Sequence, residues 1–271
     1  MTHIDQNNAN FWNDLCGSAL ARKLGVSDAS IQSLGLYDRW YFEYYPYLAP
    51  FVDISSLAGK RVLEVGLGYG SLSQAIAEKG AIYSGLDIAS GPVDMVNHRL
   101  RQNSLPGDAI QGNVLRCPFD DQSFDVAVAI GSLHHTGDLS LALRELHRCV
   151  VPGGSLVFMV YNALSYRRWL RWPLSTFRHL LWSRGHLRKK PTASQSQRFA
   201  YDADENGNAA PETDFISQAE LPTLLPGWQI NKVELHNVGY EGPLRFLPRA
   251  IKLSKLDGFA GLDLYVRATR I

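Results

Sequence analysis

Cysteine is scarce in this chain and poorly placed for either of its usual structural roles. The three residues, Cys16, Cys117 and Cys149, are odd in number, widely spaced and without a CxxC pair. That fits neither a disulfide framework nor a zinc ribbon, and a reducing, cytoplasmic setting is the simplest expectation. Also lacking is any apolar run near the roughly 20 residues that span a bilayer. The opening stretch MTHIDQNNANFWND has no basic-then-apolar order of the kind a secretion signal shows. A net charge of +1 gives no general attraction to polyanions, and no nucleic-acid module accompanies the basic residues, so nucleic acid is not expected as a partner. No internal repeat is visible. What remains, 271 residues with 45% hydrophobic and 20% charged content, suits one large core or two modest ones and excludes disorder of the whole chain.

From Lys60 to Asn162 short apolar runs alternate with amphipathic segments, the pattern of a parallel α/β sheet with right-handed crossovers. The strands read as RVLEV (61–65), AIYSGLDI (81–88), AIQGNV (109–114), FDVAVAI (124–130) and, after the turn PGG, SLVFMVY (155–161). Between them lie helices at 70–80, 93–103 and 139–150. Residues 1–56 are aromatic-rich and read as a helical cap, 57–161 as the core, 162–220 as a basic and aromatic lid insertion, and 221–271 as C-terminal strands completing the core sheet. Those last strands are WQINKVEL (228–235) and GLDLYVRATRI (261–271).

VLEVGLGYGSL (62–72) puts Gly66, Gly68 and Gly70 between a strand and a helix, where glycine permits a tight turn and close approach of a ligand. A dinucleotide and a cationic nucleoside compete for such a loop. The dinucleotide fingerprint wants a glycine at position 71, which is Ser71 here. Glu64, two residues before the first glycine, would repel a pyrophosphate and attract an ammonium or sulfonium; the alternative is a carboxylate that caps or pairs within the fold. Asp87 closes the second strand 17 residues after Gly70, a place from which an acid accepts both ribose hydroxyls, although a strand-end cap is the ordinary use. Asn113 and Val114, at the end of the third strand, offer a polar edge and an apolar face to an adenine.

With these pieces in order, residues 60 to 161 resemble the class I S-adenosylmethionine-dependent methyltransferases: VLEVGLGYG, LDI, GNVLRCPFDDQSFDVAVAIGSLHH and CVVPGGSLVFMV follow the family's sequence and spacing. The resemblance implies a Rossmann-like seven-stranded sheet with an antiparallel last strand. It implies S-adenosyl-L-methionine as cofactor, held by Glu64, the loop glycines, Asp87, Ile88, Asn113 and Val114. Many members carry Asp where this chain has Asn113.

Methyl transfer from a sulfonium is an in-line displacement that positioning alone accelerates, and a protonated nucleophile also needs a base. His134 and His135, in AIGSLHHTGD after the fourth strand, are the expected catalytic residues, either as base or substrate ligand; the alternative is a loop-supporting role. On an extended segment the two rings point to opposite sides, which argues against a shared metal, and none is expected. Tyr161 and Asn162, after the fifth strand, are expected to touch substrate. Tyr37 and Tyr41, one helical turn apart with hydroxyls, are expected to cover the cofactor.

The near-neutral total hides two blocks: nine Lys or Arg and no acid from Asn162 to Tyr201, then six acids and no Lys or Arg from Asp202 to Glu220. Along 164–190, Tyr166, Leu170, Leu174, Phe177 and Leu181 share a helical face that Pro173 breaks or restarts. This stretch reads as a lid packed on the sheet with a solvated basic rim, as a surface for an anionic substrate or carrier, or as an interfacial helix in peripheral contact with anionic lipid. The acidic block is expected to fold over and pair with Arg167, Arg168 and Arg171. Taken together, the chain reads as an enzyme that methylates O or N of a small-molecule or lipid-like acceptor. The alternatives are an NAD-dependent oxidoreductase and a non-catalytic nucleoside-binding protein associated with a membrane or partner.

Overall fold

The computed structural model describes residues 3–13, 17–238, 246, 251 and 257–271; Cys16 lies outside them. The eight strands are β1 (Arg61–Val65), β2 (Ile82–Asp87), β3 (Asp108–Gln111), β4 (Phe124–Ile130), β5 (Val150–Asn162), β6 (Phe215–Ile216), β7 (Trp228–His236) and β8 (Asp263–Arg270). Their order is β3-β2-β1-β4-β5-β8-β7, with β6 pairing the end of β5. Strands β1 to β5 pair in parallel, and β8 runs antiparallel to both β5 and β7. The seven-stranded Rossmann-like sheet with an antiparallel last strand is therefore present, and the two-residue β6 is an addition. Strand order reverses between β1 and β4, and open α/β sheets place their ligands at the carboxyl ends beside such a reversal.

Strand alternation sorts the core onto two faces. Val62, Val126, Val128 and Val157 face a cluster that includes Leu72 and Ile76 of helix α5 (Ser71–Glu78) and Val96 of helix α6 (Ser90–Gln102). Leu63, Ala127, Ala129 and Phe158 face the other way, against helix α7 (Leu139–Cys149). Helix α7 buries Leu139, Ala142, Leu143, Leu146 and Cys149, an i, i+3, i+4, i+7 stripe, and starts where the Asp138 carboxylate accepts the Leu141 N–H at 2.9 Å. Two expected boundaries move. The third strand stops at Gln111, and its last ladder bond runs from the Gly112 N–H to the Asp87 carbonyl. The fifth begins at Val150, the PGG segment being absorbed as an irregularity in its pairing with β4.

Residues before β1 form α1 (His3–Trp12), α2 (Ser18–Lys23), α3 (Ile31–Tyr44) and α4 (Leu48–Val52). The segment after β5 forms α8 (Tyr166–Arg171), α9 (Pro173–Ser183) and α10 (Gln195–Tyr201), followed by β6 and α11 (Leu221–Leu224). Pro173 starts a second helix rather than kinking one, as a residue without an N–H does at a first helical position. The apolar stripe divides: Tyr166 is buried, but the rest of it does not pack as a lid on the sheet would require. Leu170 and Leu174 are 59% and 80% exposed, while Thr176, His179 and Arg168 are buried. No helix among the described residues is long and apolar enough to cross a membrane.

Candidate active site

The loop between β1 and α5 takes the left-handed backbone at Gly66, Gly68 and Gly70 (φ +83°, +52° and +80°), a region that other residues adopt at a cost. Gly66 has a second constraint: a Cβ there would stand 2.2 Å from the Cβ of Ser132, which follows β4 and donates its hydroxyl to the Val65 carbonyl at 2.6 Å. The loop is also tied to β2. Asp87 accepts the Leu67 N–H at 2.8 Å through Oδ2 and the Ala89 N–H at 2.9 Å through Oδ1. Burial raises the Asp87 pKa, with the Ala89 and Leu67 bonds working against the rise.

Glu64, at the carboxyl end of β1, is buried and accepts the Tyr83 hydroxyl at 2.7 Å. Burial pushes its pKa up to about 7, against the nearby Ser73 hydroxyl and the Tyr83 hydrogen bond and with a further push from the Asp87 charge. A cavity opens over these groups. Among the described residues its lining includes three carboxylates, Asp5, Glu64 and Asp87, and no lysine or arginine. Such a wall suits a cationic ligand rich in hydroxyl donors and disfavours a pyrophosphate. The same cavity is lined by Ile88, Asn113, Val114, Tyr37, Tyr41 and His135, so the structure brings most of the expected site residues to one place. Asn113 is committed on both sides: Oδ1 accepts the Leu115 N–H at 2.9 Å and Nδ2 donates to Asp5 Oδ1 at 2.8 Å.

Asp5, Asn8 and Trp12 all line the cavity from α1, and reading the sequence for apolar periodicity missed them. Asp5 also meets Arg116 at 3.2 Å. Asn8 Nδ2 donates to the His135 carbonyl at 2.9 Å, and the Trp12 ring lies 4.8 Å from the His135 ring. The spacing of three and then four residues places them on one face of a helix, a signal present in HIDQNNANFW but carried mainly by polar residues. A second roof element, α3, is clamped by Arg99, which is fully buried and donates to both oxygens of Asp38 at 2.9 and 3.0 Å. Asp38 in turn accepts the Ser71 hydroxyl at the start of α5. The Tyr37 ring stands 4.5 Å from that of Tyr69 in the glycine loop.

The histidine pair is arranged differently from expectation. Residues Leu133–His135 form a tight 3-10 turn instead of an extended segment, and the two rings lie 4.1 Å apart. His135 lines the cavity. Its Nδ1 is 2.7 Å from the Glu212 carbonyl; a carbonyl only accepts, so that nitrogen carries a proton and donates it. Nε2 faces Asp202 Oδ2 at 3.6 Å, and Asp202 Oδ1 accepts the Tyr161 hydroxyl at 3.0 Å. His134 sits behind the cavity wall, with neither ring nitrogen hydrogen-bonded. Burial, and then the neighbouring His135, hold its pKa well below the usual value. Asn162 is buried away from the cavity, donating to the Gly261 carbonyl and accepting the Leu164 N–H, each at 2.9 Å. Among the described residues no group of three His, Cys, Asp or Glu side chains is arranged to hold a metal ion.

The two charge blocks meet, in part at an expected arginine, since the Arg167 charge acts on Asp202 and opposes the rise of its pKa by burial. Ion pairs of the acidic block run to Lys190, which contacts Glu220 at 3.0 Å and Asp214 at 3.7 Å, and to Arg22 of α2, which pairs with Glu205. Glu220 also accepts from buried His179 at 2.8 Å. Arg168 is buried over the Phe215 ring, 4.0 Å from its centroid, and donates to the Ala163 carbonyl. Burial lowers its pKa to about 10.

Residues 63–158 match the family model described as a methyltransferase domain. The chain is 37% identical over 109 residues to the ubiquinone biosynthesis O-methyltransferase of Pseudomonas entomophila (strain L48), an alignment spanning 40% of this chain and 47% of that protein. The chain thus spans about half the length of the curated relatives it matches. Among solved structures it is similar to an S-adenosylmethionine-dependent methyltransferase from Mesorhizobium loti, with a TM-score of 0.57 at 18% identity over 82% of this chain and 96% of that one. It is also similar to the [4+2]-cyclase SpnF, with a TM-score of 0.53 at 17% identity over 82% and 80% of the two chains. Likeness at such identities shows the fold, and the cyclase is a reminder that this fold hosts more than one chemistry. Residues 63–158 thus form a methyltransferase domain, set in the Rossmann-like fold of S-adenosylmethionine-dependent methyltransferases, and the acidic wall of the cavity fits that cofactor.

Proposed function

We propose that this protein transfers a methyl group from S-adenosyl-L-methionine to an oxygen of a small or lipid-like acceptor. The observation that carries the reading is the cavity wall, which among the described residues has three carboxylates and no lysine or arginine over the glycine loop. Bound there, the cofactor supplies an electrophilic methyl on a sulfonium. Glu64 offers charge to its ammonium, and Asp87 has acceptor capacity left for ribose hydroxyls after its two backbone bonds. Val114 and Ile88 give apolar surface for the adenine, with Asn113 at its edge. Tyr37, Tyr41 and Trp12 exclude water from above. Oxygen rather than nitrogen is favoured by the name of the relatives, which are O-methyltransferases.

Of the two histidines, His135 is the proposed base. A hydroxyl that reaches Nε2 gives up its proton there, and Asp202, held by Tyr161, stabilises the imidazolium. In this reading Tyr161 acts through Asp202, while His134 and Asn162 shape the wall and the lid base. A second reading, nucleoside binding without methyl transfer, draws on the burial of His135 Nε2, which faces Asp202. Calorimetric titration with S-adenosylhomocysteine and NADH tests the cofactor, and tighter binding of NADH would sink the assignment. Incubation of the intact chain with methyl-labelled cofactor and a panel of phenolic and lipid-like acceptors tests turnover.

A further inference from the structure

Helices α8 and α9 are amphipathic in the inverted sense for a lid packed on a sheet. Toward the protein they bury polar side chains: Arg168 at 2% exposure, Thr176 at 0% and His179 at 1%. Each makes a local hydrogen bond, to the Ala163 carbonyl, the Trp172 carbonyl and Glu220 respectively. Away from the protein they present Trp169, Leu170, Leu174 and Phe177, at 38%, 59%, 80% and 49% exposure. Leu174, Phe177 and Arg178 fall at i, i+3 and i+4 on α9, so they form one face rather than scattered positions. An exposed cluster of large apolar residues marks an interaction surface.

The charge around the face selects its occupant. Arg178, Arg184, Arg188 and Lys189 are exposed, and none forms an ion pair among the described residues. No acid occurs anywhere from Asn162 to Tyr201. Apolar side chains flanked by cations, without an intervening carboxylate, complement an anionic bilayer: the apolar groups enter the acyl boundary and the cations meet headgroup phosphates. We propose that the outward face of α8 and α9 docks this protein on anionic lipid membranes. The location adds a consequence. Helix α8 follows directly from the carboxyl end of β5, the same sheet edge that carries the cofactor cavity, so docking turns that edge toward the bilayer. The inference does not depend on methyl transfer.

The test is co-sedimentation of the full chain with vesicles of phosphatidylcholine alone and of phosphatidylcholine mixed with phosphatidylglycerol. Pelleting with the anionic vesicles only, weakened by added salt, is expected. Leu174→Ser with Phe177→Ser should abolish it, and Arg178→Gln should reduce the partition coefficient about fivefold. All variants should keep the wild-type melting temperature and affinity for S-adenosylhomocysteine, which separates docking from folding and from the cofactor site. Equal pelleting with both vesicle types, or pelleting untouched by the Leu174/Phe177 variant, overturns the proposal. So does a dimer in solution that the same variant dissociates, since a second copy would then own the face.

Discussion

The Asn113 amide donates to the Asp5 carboxylate at 2.8 Å, joining the loop after β3 to a helix 108 residues earlier in the chain. That bond, with the Asn8 amide on the His135 carbonyl, makes α1 a cover for the cofactor cavity. It also explains the amide at position 113: with Asp5 opposite, an Asp there would set two carboxylates against each other, and Asn supplies the donor that Asp5 needs.

If α1 is a cover held at Asp5, Asp5→Ala should release it. We expect S-adenosylhomocysteine to dissociate faster and bind about tenfold more weakly, in line with loss of a hydrogen bond to a charged group. Stopped-flow fluorescence reads this directly, because Trp12 lies on the same helix face. An unchanged dissociation rate would mean that α1 does not gate the cavity.

Glu64 should make cofactor affinity depend on pH. Its folded pKa of about 7 lies above the ordinary value of 4.5, so the folded protein holds a proton there that the unfolded chain releases. The protonated form is the favoured one: its stabilisation is complete below about pH 4.5 and is lost as pH rises through 7, a change on the order of 3 kcal/mol. A cationic ligand favours the ionised form instead. Affinity for S-adenosylmethionine should therefore rise between pH 6 and 8, and calorimetry on Glu64→Gln should show a flatter profile.

The two histidines should differ on substitution. His135→Ala removes the proposed base and the anchor to Glu212 and Asp202, and should lower turnover by roughly 10²-fold or more. His134→Ala leaves a cavity among packed rings, and its main effect should be a loss of stability read by thermal denaturation. Asp202→Asn keeps the Tyr161 contact but not the charge opposite Nε2, and it should lower kcat. Equal, small losses at 134 and 135 would return the pair to a structural role.

The Asp38–Arg99 pair should be expensive to break from one side. Asp38→Ala leaves a fully buried guanidinium with a hydrogen bond to Gln74 but no carboxylate, and destabilisation of about 3 kcal/mol is expected. Chemical denaturation measures it. A companion Arg99→Met change should recover part of the loss, because it removes the stranded charge while keeping much of the volume.

Much of the fold was legible because its signals are local. RVLEV and FDVAVAI appear as β1 and β4 at the expected residues, since a central parallel strand buried on both faces needs an unbroken apolar run. The glycine loop was legible for a similar reason: positive φ at positions 66, 68 and 70 restricts residue type through backbone sterics alone. Glu64 and Asp87 followed from their distance to that loop.

Other features depended on contacts between distant segments. Asp5 reaches the cavity only because α1 folds back over β3 and β4, and nothing in HIDQNNANFW announces what its polar face will meet. The direction of the histidine rings was set by a 3-10 turn and by the Glu212 carbonyl, 77 residues away. The basic helices illustrate the same division: periodicity identified their apolar stripe, but whether that stripe faces the sheet or the solvent is a rigid-body choice. It was settled when buried Arg168 and His179 found partners inside. The sequence by itself thus determined the sheet, the glycine loop and the acids at the strand ends, because strand pattern and backbone sterics act over a few residues. The cover of the cavity, the Nδ1 hydrogen bond of His135 and the outward face of α8 and α9 were decided by the tertiary structure alone, because each depends on which distant groups are brought within hydrogen-bonding reach.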